Sequence, residues 1–243
     1  MHKRIAGEGA GGPVWRRGAN WLIHRGMTRK LSLTVDGRNV VVQLHKGDLP
    51  DGVTFNGPVA VDSETLGLSL VRDPLCLVQL SDGGGEAHLV QLDRATYDAP
   101  NLKRVLSDTN ILKLFHFARF DIAMFMRDLS VVCAPLYCTR TASRLVRTYT
   151  DRHGLKDLCK ELLGRDISKD QQSSDWGAAE LTDAQLNYAA SDVLHLHALK
   201  EKLDVMLARE GRTEIAQSCF DFLPTRAALD LAGWDEQDIF AHT

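Results

Sequence analysis

The sequence predicts an α/β fold in which a strand-rich first half gives way to a helical second half. Three observations point there. β-branched and apolar runs recur at short intervals between residues 40 and 92. Strand and helix patterns then alternate between residues 101 and 133. Beyond residue 139 the apolar positions recur at helical spacing.

Residues 1–35 read as a basic extension without fixed structure. Arg4, Arg16, Arg17, Arg25 and Arg29 stand there among glycines, with Glu8 as the acidic residue of the first 30. The segment has no apolar h-region, which argues against a secretory signal. Residues 36–243 are expected to form a single domain, a length that supports one well-buried core.

Val40–Leu44, Val59–Asp62, Pro74–Ser81 and Ala87–Leu92 read as strands. The turn Asp82-Gly83-Gly84-Gly85 joins the last two and suggests an antiparallel section. A helix near Asn101–Ser107, a strand at Ile111–His116, a helix at Ala118–Asp128 and a short strand at Ser130–Cys133 follow. Helices are expected at Thr139–Arg147, Gly154–Leu163, Thr182–Arg209 and Arg212–Phe222. Thr182 with Gln185 three residues on forms a capping box at the start of the third of these.

The net charge of −3 argues against a protein that grips long duplex through many phosphates. The 32 acidic residues leave room for a carboxylate metal site. No apolar run is long enough to span a membrane. Cys76, Cys133, Cys138, Cys159 and Cys219 form neither C-x-x-C pairs nor Cys/His clusters. They are expected to be free thiols in a reducing cytoplasm.

Three short segments carry the chemistry. In Asp62-Ser63-Glu64 the strand alternation puts both carboxylates on one side, roughly 6.5 Å apart along the chain. Phe115-His116-Phe117-Ala118-Arg119-Phe120-Asp121 ends a strand and sets Asp121 in the first turn of a helix. Tyr188 and Asp192 stand four apart and share a helix face. Each segment alone also fits a bland role: a solvated strand end, a helix-dipole acid, a packed tyrosine.

Together they resemble the three exonuclease motifs of the DEDD superfamily. The resemblance implies a ribonuclease H-like (DnaQ-like) fold, a mixed sheet flanked by helices. Asn187 stands where one subclass has His, and Tyr188 stands where the other has Tyr, so the chain is similar to the tyrosine subclass that includes ribonuclease D. Lys169-Asp170-Gln171-Gln172-Ser173-Ser174-Asp175-Trp176 resembles the K-x-x-Q-x-S-D-W stretch of that branch. Polar donors and a ring at this place could hold a phosphate and a base, or be plain loop and core. Residues 115–121, the run Arg147–Gly154, and the ending Phe222–Arg226 with Asp238–His242 resemble the nano-RNase C family over about residues 40–243.

The family resemblance implies a metal-dependent 3′→5′ exoribonuclease that degrades short oligoribonucleotides, dinucleotides included, to nucleoside 5′-monophosphates. Ribonuclease D-like trimming or DNA exonuclease activity is the alternative on the same site. It implies two divalent cations, Mg²⁺ or Mn²⁺, on Asp62, Glu64, Asp121 and Asp192, with Tyr188 orienting the water. It also implies short single-stranded RNA (or DNA) as partner, and an octameric ring of identical chains. Thr65, Leu68, His116, Lys169, Gln172, Ser174 and Trp176 are the candidate substrate contacts. Leu68 reads either as a wedge between the terminal bases or as a core leucine. Arg140, Arg144, Arg147, Arg152, Lys156 and Lys160 read as a solvated face, a subunit contact or a path for the strand. A metal-free binding scaffold is the reading from another class; it is disfavoured because all four carboxylates and Tyr188 are present.

Overall fold

The computed structural model describes residues 28–35, 38–167 and 170–242. Its strands are β1 (Thr28–Val35), β2 (Arg38–Lys46), β3 (Val59–Thr65), β4 (Leu75–Ser81), β5 (Glu86–Gln91), β6 (Lys113–Phe115) and β7 (Leu136–Cys138). Among the described residues they form one sheet in the order β1-β2-β5-β4-β3-β6-β7. β4 runs antiparallel to both β3 and β5, as the glycine turn suggests, while β2 with β5, β3 with β6 and β6 with β7 are parallel. The sheet is therefore mixed, with β3 beside both an antiparallel and a parallel neighbour.

β1 corrects the expected extension. Leu31-Ser32-Leu33-Thr34-Val35 alternates apolar and polar residues, and the whole segment pairs with β2 from Thr28↔His45 to Val35↔Arg38. Residues 28–35 thus belong to the sheet, whereas 1–27 lie outside the described residues.

The helices are α1 (Pro100–Ser107), α2 (Ala118–Met124), α3 (Thr139–Val146), α4 (Leu155–Leu158), α5 (Asp183–Leu194), α6 (Leu196–Arg209) and α7 (Thr213–Leu231). π-helical turns extend α2 over Phe125–Leu129 and α4 over Cys159–Leu163. The strand expected at 130–133 is absent there. Ser130 takes a left-handed φ of 57° and Val131 N–H bonds back to Phe125 O, which closes the helix; pairing resumes in β7. The single helix expected over 182–209 breaks at His195, where α5 hands over to α6. The break lets α5 lie on β3, β4 and β5 while α6 packs on α3. α7 runs through Pro224, past the expected end at Phe222. Its buried Asp230 receives Arg119 at 2.5 Å and Arg226 at 2.5 Å, which ties it to α2. The Thr182–Gln185 capping box opens α5 as expected.

Val59, Ala60 and Val61 on β3 are fully buried, as is all of β4 except for traces, so the sheet centre is the core. The polar residues begin only at Asp62, where β3 leaves that core. No described helix is long and apolar enough to cross a membrane.

Candidate active site

β3 runs from the buried core into a cleft, and its last turnings carry Asp62 and Glu64. α5 lies across β3 through Leu186, Ala189, Ala190 and Val193, all buried. The two alanines let the helix approach the strand closely. That approach brings Asp192 to Asp62 and Glu64: one carboxylate oxygen from each of the three lies within 4.8 Å of the others.

Asp121 joins from the first turn of α2 and is buried. Ser63, whose side chain alternates away from those of Asp62 and Glu64, donates its hydroxyl to Asp121 Oδ1 at 2.5 Å. The sequence reading treated Ser63 only as a spacer, yet the alternation itself places it on the other side of β3.

Crowded carboxylates in a water-poor cleft cannot all ionise cheaply. Burial first, then Asp121, Asp192 and Glu64, raise the Asp62 carboxyl well above the usual range. Burial, then Asp192 and Asp121, push Glu64 up to about 9. Burial pushes Asp121 up to about 7 even though Ser63 opposes the shift. A donor set of hard oxygens that repel one another fits a divalent cation such as Mg²⁺.

Tyr188 is half-buried one turn before Asp192. Burial, then the charges of Asp192, Glu64 and Asp62, raise its phenol far above the ordinary tyrosine value, and its hydroxyl bonds to Asp192. It therefore keeps its proton. Trp176 lies behind it, 2% exposed, with ring centroids 6.0 Å apart. The tryptophan supports the tyrosine and offers no free face for a base.

The loop around Trp176 is stapled to the sheet. Lys46 reaches Ala179 O at 2.6 Å, Gln91 reaches Ala178 O at 2.8 Å, Arg94 reaches Gly177 O at 2.9 Å, and Gln185 reaches Asp175 O at 3.1 Å. Of these four residues the sequence singled out Gln185 alone, and for the capping box rather than for this contact. Their contacts are long-range and leave no local pattern.

The other candidates fall in different places. Leu68 is 85% exposed on the loop after β3, which removes its reading as core. Thr65 donates its hydroxyl to Gly67 O and so shapes that loop. His116 Nδ1 lies 2.9 Å from Thr139 Oγ1 at the ends of β6 and β7. Ser174 donates to Gln171 Oε1 at 2.7 Å, and Gln172 is exposed. Lys169 lies outside the described residues. The basic stretch divides. Arg147 is fully buried, held by Glu161, by Ser143 at 3.0 Å and by Arg152 O at 2.7 Å, so it lines no surface path. Lys156 and Lys160 face Asp166 at 3.6 and 3.9 Å.

Four carboxylates and a tyrosine gathered at the end of β3, an inner strand of a mixed sheet, define a metal-dependent nuclease class. The family model described as 3'-5' exonuclease matches residues 43–208, so the chain belongs to the 3′–5′ exonuclease family. Ribonuclease D of Gluconacetobacter diazotrophicus is 35% identical over 156 residues, which is 64% of this chain and 39% of that protein. The chain thus matches about two fifths of the length of that curated relative. Among solved structures, Brucella melitensis NrnC with bound Mg²⁺ is 52% identical, with a TM-score of 0.79 over 83% of this chain and 99% of that one. The same protein bound to pGG is 53% identical, with a TM-score of 0.79 over 83% and 98% of the two chains.

Proposed function

We propose that the chain is a 3′→5′ exoribonuclease that degrades short oligoribonucleotides, dinucleotides included, to nucleoside 5′-monophosphates. The observation that carries this reading is the meeting of Asp62, Glu64 and Asp192 within 4.8 Å of one another. The Brucella NrnC structures with Mg²⁺ and with pGG support the metal and the short substrate.

Asp62, Glu64, Asp121 and Asp192 would hold two divalent cations, Mg²⁺ or Mn²⁺. Bound there, such ions supply charge neutralisation at the phosphate and a lowered pKa for water. The protein's own groups do the rest. Tyr188 stays protonated and donates its O–H in a hydrogen bond to Asp192, which leaves its oxygen to accept a hydrogen bond from the attacking water. Ser63 fixes Asp121. Leu68, which is exposed, would part the terminal base from the next. Water adds to phosphorus, and the upstream ribose 3′-oxygen leaves with a proton. We further propose a cytoplasmic location and an assembly of identical chains, octameric by its family likeness.

The 35% identity to ribonuclease D favours one second reading, the trimming of longer RNA. Competition between a 5′-phosphorylated dinucleotide and a long RNA with a 3′ overhang, at matched salt, separates the two. The proposal expects the dinucleotide to be consumed first; preferential shortening of the overhang favours trimming.

A further inference from the structure

β4 is the middle strand of the sheet, and every residue of Leu75-Cys76-Leu77-Val78-Gln79-Leu80-Ser81 is buried. Such a strand selects apolar side chains, because a polar group taken out of water is costly unless it finds a hydrogen-bond partner. Gln79 breaks that pattern. It is 0% exposed, and among the described residues neither its Oε1 nor its Nε2 has a partner. Gln91, on the same face of β5, shows the usual solution. Its Nε2 donates to Ala178 O at 2.8 Å, and its Oε1 accepts from Lys46 Nζ at 2.6 Å.

The strand register fixes what flanks the Gln79 amide. Gln79 stands opposite Asp62 on β3 and opposite Leu89 on β5. Residues directly opposite on antiparallel strands point to the same face, with Cβ atoms roughly 4.5–5.5 Å apart. Asp62 points to the face that α5 covers, where it meets Asp192. α5 buries Leu186, Ala189, Ala190 and Val193, four side chains without a polar atom. Of the two side chains that flank Gln79 across the strands, Asp62 offers a hydrogen-bond acceptor and Leu89 offers none.

We propose that Gln79 is a positioning residue of the metal site. In the metal-loaded protein its side-chain N–H donates to the Asp62 carboxylate and holds that carboxylate in its ligating orientation. A hydrogen bond to a ligating group fixes its direction and strengthens metal binding. The unpaired amide destabilises the metal-free fold and is satisfied on loading. This rests on the reading of the four carboxylates as the metal site of an exonuclease.

The test uses the full chain and two substitutions. Gln79→Met removes the amide at nearly constant volume. Leu89→Met alters the packing on the other side of Gln79 and leaves the amide in place. Calorimetric titration with Mg²⁺ alone, without RNA, is expected to give Gln79→Met a Kd about tenfold above wild type, the lower end for loss of a group that orients a metal ligand. Leu89→Met is expected to keep the wild-type Kd. In EDTA, Gln79→Met is expected to melt about 2–4 °C above wild type, because an apolar side chain replaces an unpaired buried amide. The two shifts differ in sign from those of a purely structural glutamine, whose loss would lower Tm and leave Mg²⁺ affinity alone. An unchanged Kd in Gln79→Met, or an equal rise in Leu89→Met, overturns the proposal. So does a Gln79→Met chain that fails to fold or melts below wild type in EDTA, since the amide would then be partnered without metal. A wild-type chain that binds no Mg²⁺ and hydrolyses no RNA overturns the metal-site reading itself, and the role of Gln79 with it.

Discussion

Ser63 donates its hydroxyl to Asp121 at 2.5 Å, so the strand that presents Asp62 and Glu64 also fixes the carboxylate of the next helix. One three-residue segment thereby orders three of the four acids. Ser63→Ala leaves Asp121 without that donor. The Mg²⁺ concentration for half-maximal hydrolysis is expected to rise about tenfold, the lower end for loss of a group that orients a metal ligand. A metal titration of the purified variant reads this directly; an unchanged midpoint would show that Asp121 is held without Ser63.

Tyr188→Phe removes one hydroxyl and keeps the ring that packs on Trp176. Far-UV circular dichroism should stay as in the wild type. The turnover number is expected to fall about 10²-fold, the lower range for a positioned acid–base group. An unaffected turnover number would take Tyr188 out of the mechanism.

The carboxylate cluster makes the metal-free fold pH-sensitive. Glu64 is pushed up to about 9, because burial, Asp192 and Asp121 disfavour its charge. A carboxyl whose pKa is higher in the folded chain than in the unfolded one favours folding while protonated. Its contribution is whole below the unfolded value near pH 4 and is lost as pH rises through the folded value. In EDTA, Glu64→Gln should melt about 4–8 °C above wild type at pH 9, for ~2 kcal/mol relieved, and the gap should close toward pH 4. Mg²⁺ should raise the wild-type Tm more at pH 8 than at pH 5. Calorimetry showing a pH-independent gap would mean that the acids do not repel one another in the fold.

Leu68 is exposed, so Leu68→Ala should change stability by less than about 0.5 kcal/mol. If the side chain parts the two terminal bases, KM for a dinucleotide rises about tenfold, one bulky apolar contact's worth. Wild-type kinetics on dinucleotides would end the wedge role.

What was legible in the sequence is what short-range periodicity encodes. The two-residue period set Asp62 and Glu64 on one side, the four-residue spacing joined Tyr188 to Asp192, and the capping box opened α5. What was not legible depends on partners far along the chain. The apolar positions Leu186, Val193, Leu196, Leu199 and Leu203 run on through His195, so nothing local marks the break between α5 and α6. The break follows from α5 lying on the sheet and α6 on α3. β7 has only three residues and follows Pro135, too short to signal against Val131-Val132-Cys133. The burial of Trp176 and Arg147 likewise follows from long-range packing, which a list of surface-type motifs cannot show.

The central claim is that the four carboxylates drive metal-dependent removal of 3′ nucleotides down to the dinucleotide. Product analysis on 5′-labelled RNAs of two to about ten nucleotides tests it most directly, the span covering one to several contacts of a single-strand site. With Mg²⁺ the wild type should convert every length, the dinucleotide included, to nucleoside 5′-monophosphates, and Asp62→Ala should leave all of them intact. Accumulation of uncleaved dinucleotide, or equal products from Asp62→Ala, would contradict the account.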